Sequence, residues 1–395
     1  KNKKEIKIAI LYDGTANERE RIRSLFEEKI KFTSYGKRYI YPGLEDLYNT
    51  KVHEDLYTLG ELGHEVLETH YDVYLVVLRK KDLSKKLDVR YKLFLRGIPN
   101  KFILLDNLKK PRSQLHYSVI NGLAVRAGMI PFVLSRKLTE ELKERLGGEP
   151  TFIFLDSTRL DFLTGTFEMA SACLVSGSTG IAHHGLFVVH KSEYDRMNAV
   201  IDKLNELKEE SKIKIDNPII VAHGRISRQD LEVLKSSNLD CIVIEVTKSQ
   251  RLPRLILRVT YNGVYSYRNP PWGICLEHDE KYLINLTWGT NILRRGTVIP
   301  LFIRFVLPKR LDVEIKRLIT KYLAWSSVLS PEAPVRFPPM PAQIHQADLL
   351  CKLANRLYKY LREKRNDPFE AIEKLKKSLS TLANKGLVLF AHGER

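Results

Sequence analysis

The sequence predicts an α/β protein of two domains, the first built on a doubly wound parallel sheet. Three observations predict it. At 395 residues the chain is longer than one hydrophobic core usually supports. Over its first third, short apolar runs alternate with helical stretches, as in parallel strands joined by crossovers. The run Gly147-Gly148-Glu149-Pro150 then breaks the pattern, and the domain boundary is placed there. A hydrophobic content of 44%, with 15 Phe and 18 Tyr, suffices for real cores and excludes a disordered basic tail.

Residues 6–12 (IKIAILY) form an apolar run closed by Asp13-Gly14, a strand and its turn. Residues 18–30 are charged and helical. Residues 71–78 (YDVYLVVL) and 101–105 (KFILL) supply the second and third strands. A helix over 115–127 ends at Gly128, before a fourth strand at 130–134 (IPFVL). The second domain opens with a strand at 151–155 (TFIFL) that ends at Asp156, and 185–189 is another. The helix 193–209 carries Met197, Val200, Ile201, Leu204 and Leu207 at helical spacing. Next come a strand at 218–222 (PIIVA), a helix over 228–236 and a strand at 241–246 (CIVIEV). Strand-like stretches recur at 255–261, 281–286 and 300–305. Helices over 311–325, 344–362 and 369–383 close the chain. Strands first, then a crossing helix and a strand ending in a polar residue, suit an RNase H-like layout, although periodicity alone is shared with other α/β folds.

Lys and Arg total 65 against 47 Asp and Glu, a formal net charge of +18. Such an excess predicts a polyanionic partner, nucleic acid or an acidic membrane surface. Four cysteines (Cys173, Cys241, Cys275, Cys351) lie far apart with no CxxC pattern, so neither a zinc site nor a disulfide framework is indicated. Reduced, buried thiols in a cytoplasmic protein are expected. There is no signal segment and no run of ~20 apolar residues for a membrane span. The first residue is Lys1 rather than Met, which leaves the true N-terminus open.

Nine short stretches carry a family signature. DVYLVVL (72–78), RYKLFLRGIPNKFILLD (90–106) and NGLAVRAGMIPFVL (121–134) come first. LDSTRLD (155–161), IIVAHGRI (219–226), IEVTKSQRLPR (244–254), GTVIPL (296–301), LAWSS (323–327) and PAQIHQADLLCKL (341–353) follow. In order and spacing they resemble the Argonaute family, in particular the MID and PIWI domains of a short or truncated prokaryotic Argonaute of archaeal type. The resemblance implies an α/β fold with a Rossmann-like MID domain over 1–148, which binds the guide 5′ end. An RNase H-like PIWI domain over 149–395 follows it. It leaves no length for the N-terminal and PAZ domains of long Argonautes.

A MID domain holds the phosphorylated 5′ end of a guide strand, which takes cations near a helix N-terminus and an aromatic face for the first base. By motif position, Arg90 stands where the family has a base-stacking Tyr and Phe94 where it has a phosphate-binding Lys. Lys101 replaces a Gln, and Arg126 a second Lys. Tyr91 or Phe94 could stack on a base, and Lys92 could reach a phosphate. The resemblance thus implies a guide-end set of Arg90, Tyr91, Lys92, Lys101 and Arg126, with Mg²⁺ as a companion ion of the 5′ end. The plain alternative makes Arg90, Lys92 and Lys101 solvated strand or loop charges.

Active PIWI domains cut nucleic acid with two divalent metals about 4 Å apart, which stabilise the attacking and leaving oxygens. Mg²⁺ requires hard oxygen ligands. Asp156 matches the first family Asp and Asp348 the last acidic or His position. The middle Asp, normally ahead of Gly-Arg, is here His223. The fourth position, a glutamate finger, has no secure match; Glu193 also reads as the charged start of a helix. The set is therefore expected to be degenerate, with no catalytic residue, no cofactor for cleavage and no metal assigned. The alternative is a guide-directed endonuclease with an altered two-metal site in which His223 ligates Mn²⁺. His183, His184 and His190 are read as strand or loop residues, because adjacent histidines in a strand point to opposite faces.

Without cleavage the remaining work is binding. A guide–target duplex is held mostly through phosphates, and base pairing supplies the specificity. The resemblance points to Lys248, Arg251, Arg254, Arg294 and Arg295 as duplex contacts. On the helix around Ala347–Arg362 the leucines face inward, and Lys352, Arg356, Lys359 and Arg362 read as a solvated outer face. The implied partners are a guide RNA, a complementary DNA target and an associated effector protein acting in defence against invading DNA.

Overall fold

The structure, a computed structural model, describes residues 5–27, 30–34, 37–41, 44–59, 69–79, 86–108, 113–128, 134–161, 167–191, 195–210, 214–237, 239–248, 254–278, 281–287, 297–308, 310–329, 340–364 and 367–384. The chain forms two compact units. One comprises Lys1–Pro131 and Lys359–Arg395, the other Phe132–Tyr358.

The first unit contains β1 (Glu5–Tyr12), β2 (Ile30–Ser34), β3 (Lys37–Tyr41), β4 (Lys51–Tyr57), β5 (Val73–Leu78) and β6 (Asn100–Leu104). Four of these make a sheet in the order β4-β1-β5-β6, with every pair parallel. A parallel sheet needs cover on both faces. Ile6, Ile8, Ile10 and Tyr12 bury one face with Ile22 and Phe26 of the helix Ala16–Glu27 and with Val119, Ile120 and Leu123 of the helix Ser113–Arg126. Ala9, Leu11, Val76 and Leu78 bury the other with Val89 and Leu93 of the helix Lys86–Leu95. This is the expected Rossmann-like layout. β4 (KVHEDLY) escapes sequence reading because it is a charged edge strand. The strand expected at 130–134 falls largely outside the described residues.

The second unit adds β7 (Thr151–Asp161), β8 (Phe167–Ser176), β9 (Ala182–His190), β10 (Pro218–His223), β11 (Ile242–Thr247), β12 (Leu257–Tyr261), β13 (Val264–Arg268), β14 (Cys275–His278), β15 (Lys281–Ile284) and β16 (Leu301–Leu307). Eight strands form one sheet, β14-β15-β16-β11-β10-β7-β8-β9. β7, β8 and β9 are antiparallel neighbours, while β10 and β11 run parallel to β7. The helix Arg196–Glu209 leads into β10 and the helix Arg228–Ser236 connects β10 to β11. Both pack on one face, which accounts for buried Met197, Val200, Leu204 and Leu234. A capping box of Ser227 and Asp230 starts the second helix. On β7, the Phe152 ring stacks on Tyr322 of the helix Val313–Ser326, 4.0 Å between ring centres. The layout is RNase H-like.

One sequence expectation is corrected here. The strand opening this unit does not end at Asp156 but continues to Asp161, because β8 pairs along its length from Phe152↔Ser176 to Asp161↔Phe167. β8 (FEMASACLVS) lacks a clear apolar alternation and was not foreseen. Among the described residues no helix is long and apolar enough to cross a membrane.

Candidate functional site

The register of the large sheet assembles an acidic site. Ala222 of β10 pairs with Leu155 of β7, so the next residues, His223 and Asp156, lie side by side. β10 ends there because Gly224, at φ 90°, turns the chain away. Its N–H donates to the Val246 carbonyl at 2.9 Å. The third residue arrives on the helix Ala342–Glu363. Asp348, Lys352 and Asn355 recur at i, i+4 and i+7 and share one face of it. Asn355 Nδ2 donates to the Arg159 carbonyl of β7 at 2.9 Å, which fixes that face against the strand. One ligand atom each from Asp156, His223 and Asp348 then lie within 4.8 Å of one another.

Each site carboxylate has a basic side chain beside it. His223 Nδ1 stands 3.2 Å from Asp156 Oδ1, and Lys352 Nζ 2.6 Å from Asp348 Oδ2. The hydrogen bond to Asp156 raises the His223 pKa, against the opposing effect of burial; the Asp156 and Asp348 charges add to the rise and Lys352 offsets part of it. Lys352 is exposed, as expected of a solvated outer face, and its i,i+4 partner is the site carboxylate Asp348. Two Mg²⁺ ions would demand oxygen ligands. Among the described residues this set offers two carboxylates, Asp348 facing the Lys352 ammonium and Asp156 facing His223, and one imidazole. One of the three donors is thus a nitrogen, where a pair of Mg²⁺ ions takes oxygen.

A raised folded pKa predicts a stability profile. The contribution of the His223–Asp156 pair is fully present below the unfolded histidine value of about 6.5 and is lost as pH rises through the higher folded value. Denaturant unfolding in a chelating buffer between about pH 6 and 9 is expected to show this fall in the parent and a flatter curve in His223→Gln. Superimposable curves would exclude the coupling.

The predicted guide-end residues divide between the faces of the small sheet. Along β6, Phe102 and Leu104 pack with the Lys86–Leu95 helix, while Ile103 packs with the Ser113–Arg126 helix. Alternation thus turns Lys101 toward the latter. There it meets Arg126. A Cβ built on Gly122 would lie 3.1 Å from Lys101 Nζ and 3.2 Å from Arg126 Nη1. Arg126 Nη1 donates to the Gly122 carbonyl at 2.8 Å. Lys101 and Arg126 are 8% and 4% exposed, so neither is a solvated surface charge.

Arg90, Tyr91 and Lys92 sit on the Lys86–Leu95 helix, across the sheet. The Arg90 guanidinium is buried over the Phe94 and Phe102 rings, 5.3 and 5.9 Å from their centres. Tyr91 packs against Tyr360 at 4.8 Å. Lys92 is exposed and paired with Asp88 at 2.7 Å. Gly122 was missed by sequence reading; its lack of a side chain is what lets the two cations close over the helix.

Of the predicted duplex contacts, Lys248 is half-buried and burial pushes its ammonium down to about 8. Arg254 is exposed. Arg251, Arg294, Arg295 and Glu193 lie outside the described residues. Arg356 and Lys359 are exposed and Arg362 half-buried. His190 is buried and its Nε2 lies 2.9 Å from Ser171 Oγ, a hydrogen bond within the sheet. Cys173, Cys241 and Cys351 are buried, whereas Cys275, contrary to expectation, is exposed.

Solved structures share this fold. The A. aeolicus Argonaute matches 89% of this chain at TM-score 0.60 and 16% identity. The Kluyveromyces polysporus Argonaute with a guide RNA matches 97% at TM-score 0.68 and 11% identity. The C-terminal lobe of a budding yeast Argonaute matches 95% at TM-score 0.66 and 12% identity. The chain has an Argonaute-like fold. It spans 48% and 51% of the first two proteins and 86% of the yeast lobe. No family model matches the sequence, and neither does any curated protein.

Proposed function

We propose that this Argonaute-like chain is a guide-dependent module that recognises complementary nucleic acid without cutting it. Residues 1–148 serve as the MID domain and 149–395 as the PIWI domain. The observation that carries the reading is the meeting of Lys101 and Arg126 over Gly122. A phosphate, with its ~1.5–2 negative charges and three acceptor oxygens, is the group that an ammonium and a guanidinium set side by side recognise. The pair accordingly takes the guide 5′-phosphate, with Arg126 as the forked donor and Lys101 as the point charge. Mg²⁺ at the 5′ end would add to the same neutralisation.

The absence of cutting rests on the acidic site. His223 occupies a position that two-metal chemistry gives to a carboxylate, and Lys352 holds Asp348. Recognition of a DNA target by an RNA guide is then passed to an associated effector protein, in defence against invading DNA, as the resemblance to short prokaryotic Argonautes implies. The second reading, an endonuclease with an altered metal site, is favoured by the convergence of three ligand atoms within 4.8 Å.

Sequencing the nucleic acid that co-purifies with the chain tests guide use. Short strands of narrow length with a uniform 5′-phosphate are expected. A random size distribution, unchanged when Arg126 is replaced, would point to general polyanion binding.

A further inference from the structure

We infer that the β12–β13 hairpin is a stacking platform for single-stranded nucleic acid, distinct from the guide-end pair and independent of it. Among the described residues the two strands pair only with each other, around Asn262-Gly263, both at positive φ. A lone hairpin is marginal in water, and large apolar side chains exposed on it call for an explanation. Tyr261, Val264, Tyr265 and Tyr267 are 77%, 69%, 59% and 64% exposed.

The register sorts the side chains. Arg258 opposes Tyr267 and Thr260 opposes Tyr265, so these four share one face. On it, the Arg258 guanidinium lies 3.7 Å from the centre of the Tyr265 ring. Flat rings beside a guanidinium are what unpaired bases stack on, and such stacking tolerates any base. Charge points to the same occupant. From Val246 to Leu276 the chain has no Asp or Glu, yet it carries Lys248, Arg251, Arg254, Arg258 and Arg268. A single strand satisfies both features, with bases on Tyr265 and Tyr267 and phosphates toward the arginines. A duplex hides its base faces and does not.

Irradiating the full chain with a 5-iodouracil-substituted single strand that lacks a 5′-phosphate tests this. Cross-links are expected within residues 258–268. In fluorescence anisotropy with the same strand, Tyr265→Ala and Tyr267→Ala each weaken binding about tenfold, while the Phe variants stay within about twofold because the ring remains. An abasic strand of equal length binds more weakly and is indifferent to these substitutions. Unchanged affinity in the double Ala variant, equal losses for Phe and Ala, or an effect confined to self-association or protein capture would each overturn the platform. Arg126→Glu leaves these cross-links in place, so the pocket and the platform fail separately.

Discussion

Arg126→Glu is expected to lower affinity for a 5′-phosphorylated guide by at least about 100-fold. A hydrogen bond to a charged group contributes roughly 1.5–3 kcal/mol, and loss of that alone costs roughly ten- to a hundredfold. The new carboxylate also faces Lys101 across Gly122 and draws that ammonium away from the guide. Arg126→Lys keeps the charge but loses the fork, so an intermediate loss of about tenfold is expected. Arg126 is buried and bonded to the Gly122 carbonyl, so each variant is read together with its melting temperature. Gly122→Ala separates stability from binding. Alanine favours a helix over glycine by up to about 1 kcal/mol, whereas its Cβ crowds the ends of both cationic side chains. Weaker loading without loss of stability is expected. Charge reversal at exposed Lys359 should matter far less. Equal losses at Lys359 and Arg126 would reduce Arg126 to part of the general field.

The double change His223→Asp with Lys352→Ala is expected to create a divalent-cation site. It leaves three carboxylates around one point and removes both basic neighbours that now face Asp156 and Asp348. Without metal, like charges that close repel and the variant should be less stable than the parent. With Mg²⁺ or Mn²⁺ at about 100 times the dissociation constant, linkage returns about 2.7 kcal/mol. Thermal unfolding with and without metal reads both effects. The parent should show little shift under the same conditions. A large metal-induced shift in the parent, abolished by Asp156→Ala, would favour the endonuclease reading.

The parts of the fold that sequence reading recovered are those where one interaction dominates. β5 and β10 are continuous apolar runs because both sheet faces are covered, and β1 and β11 are largely so, with Glu5 and Lys7 at the start of β1 and buried Glu245 in β11 as exceptions. β4 and β8 were hidden for opposite reasons. β4 carries charges at an open edge, and β8 carries small residues that fit its long pairing with β7. β13 was also missed, although Asn262-Gly263 is a hairpin turn signal. Asp156, His223 and Asp348 were named from motif order, and the sheet register brings them together. The exposure of Lys352 was legible, but its pairing with a site carboxylate was not, since a lysine four residues after an aspartate reads the same whether or not that aspartate belongs to a site. The split of the guide-end set was equally hidden. Arg90 and Lys101 are near in sequence, but a helix and a strand alternation put them on opposite sheet faces.

The most direct measurement loads the chain with a defined 5′-phosphorylated guide. A labelled complementary target is then added with Mg²⁺ or Mn²⁺, and binding and product formation are followed in the same samples. A guide-dependent binder without a working two-metal site predicts tight retention of the matched target, loss of retention on mismatch, and an uncut strand throughout. Products that require the guide and vanish in Asp156→Ala would contradict it.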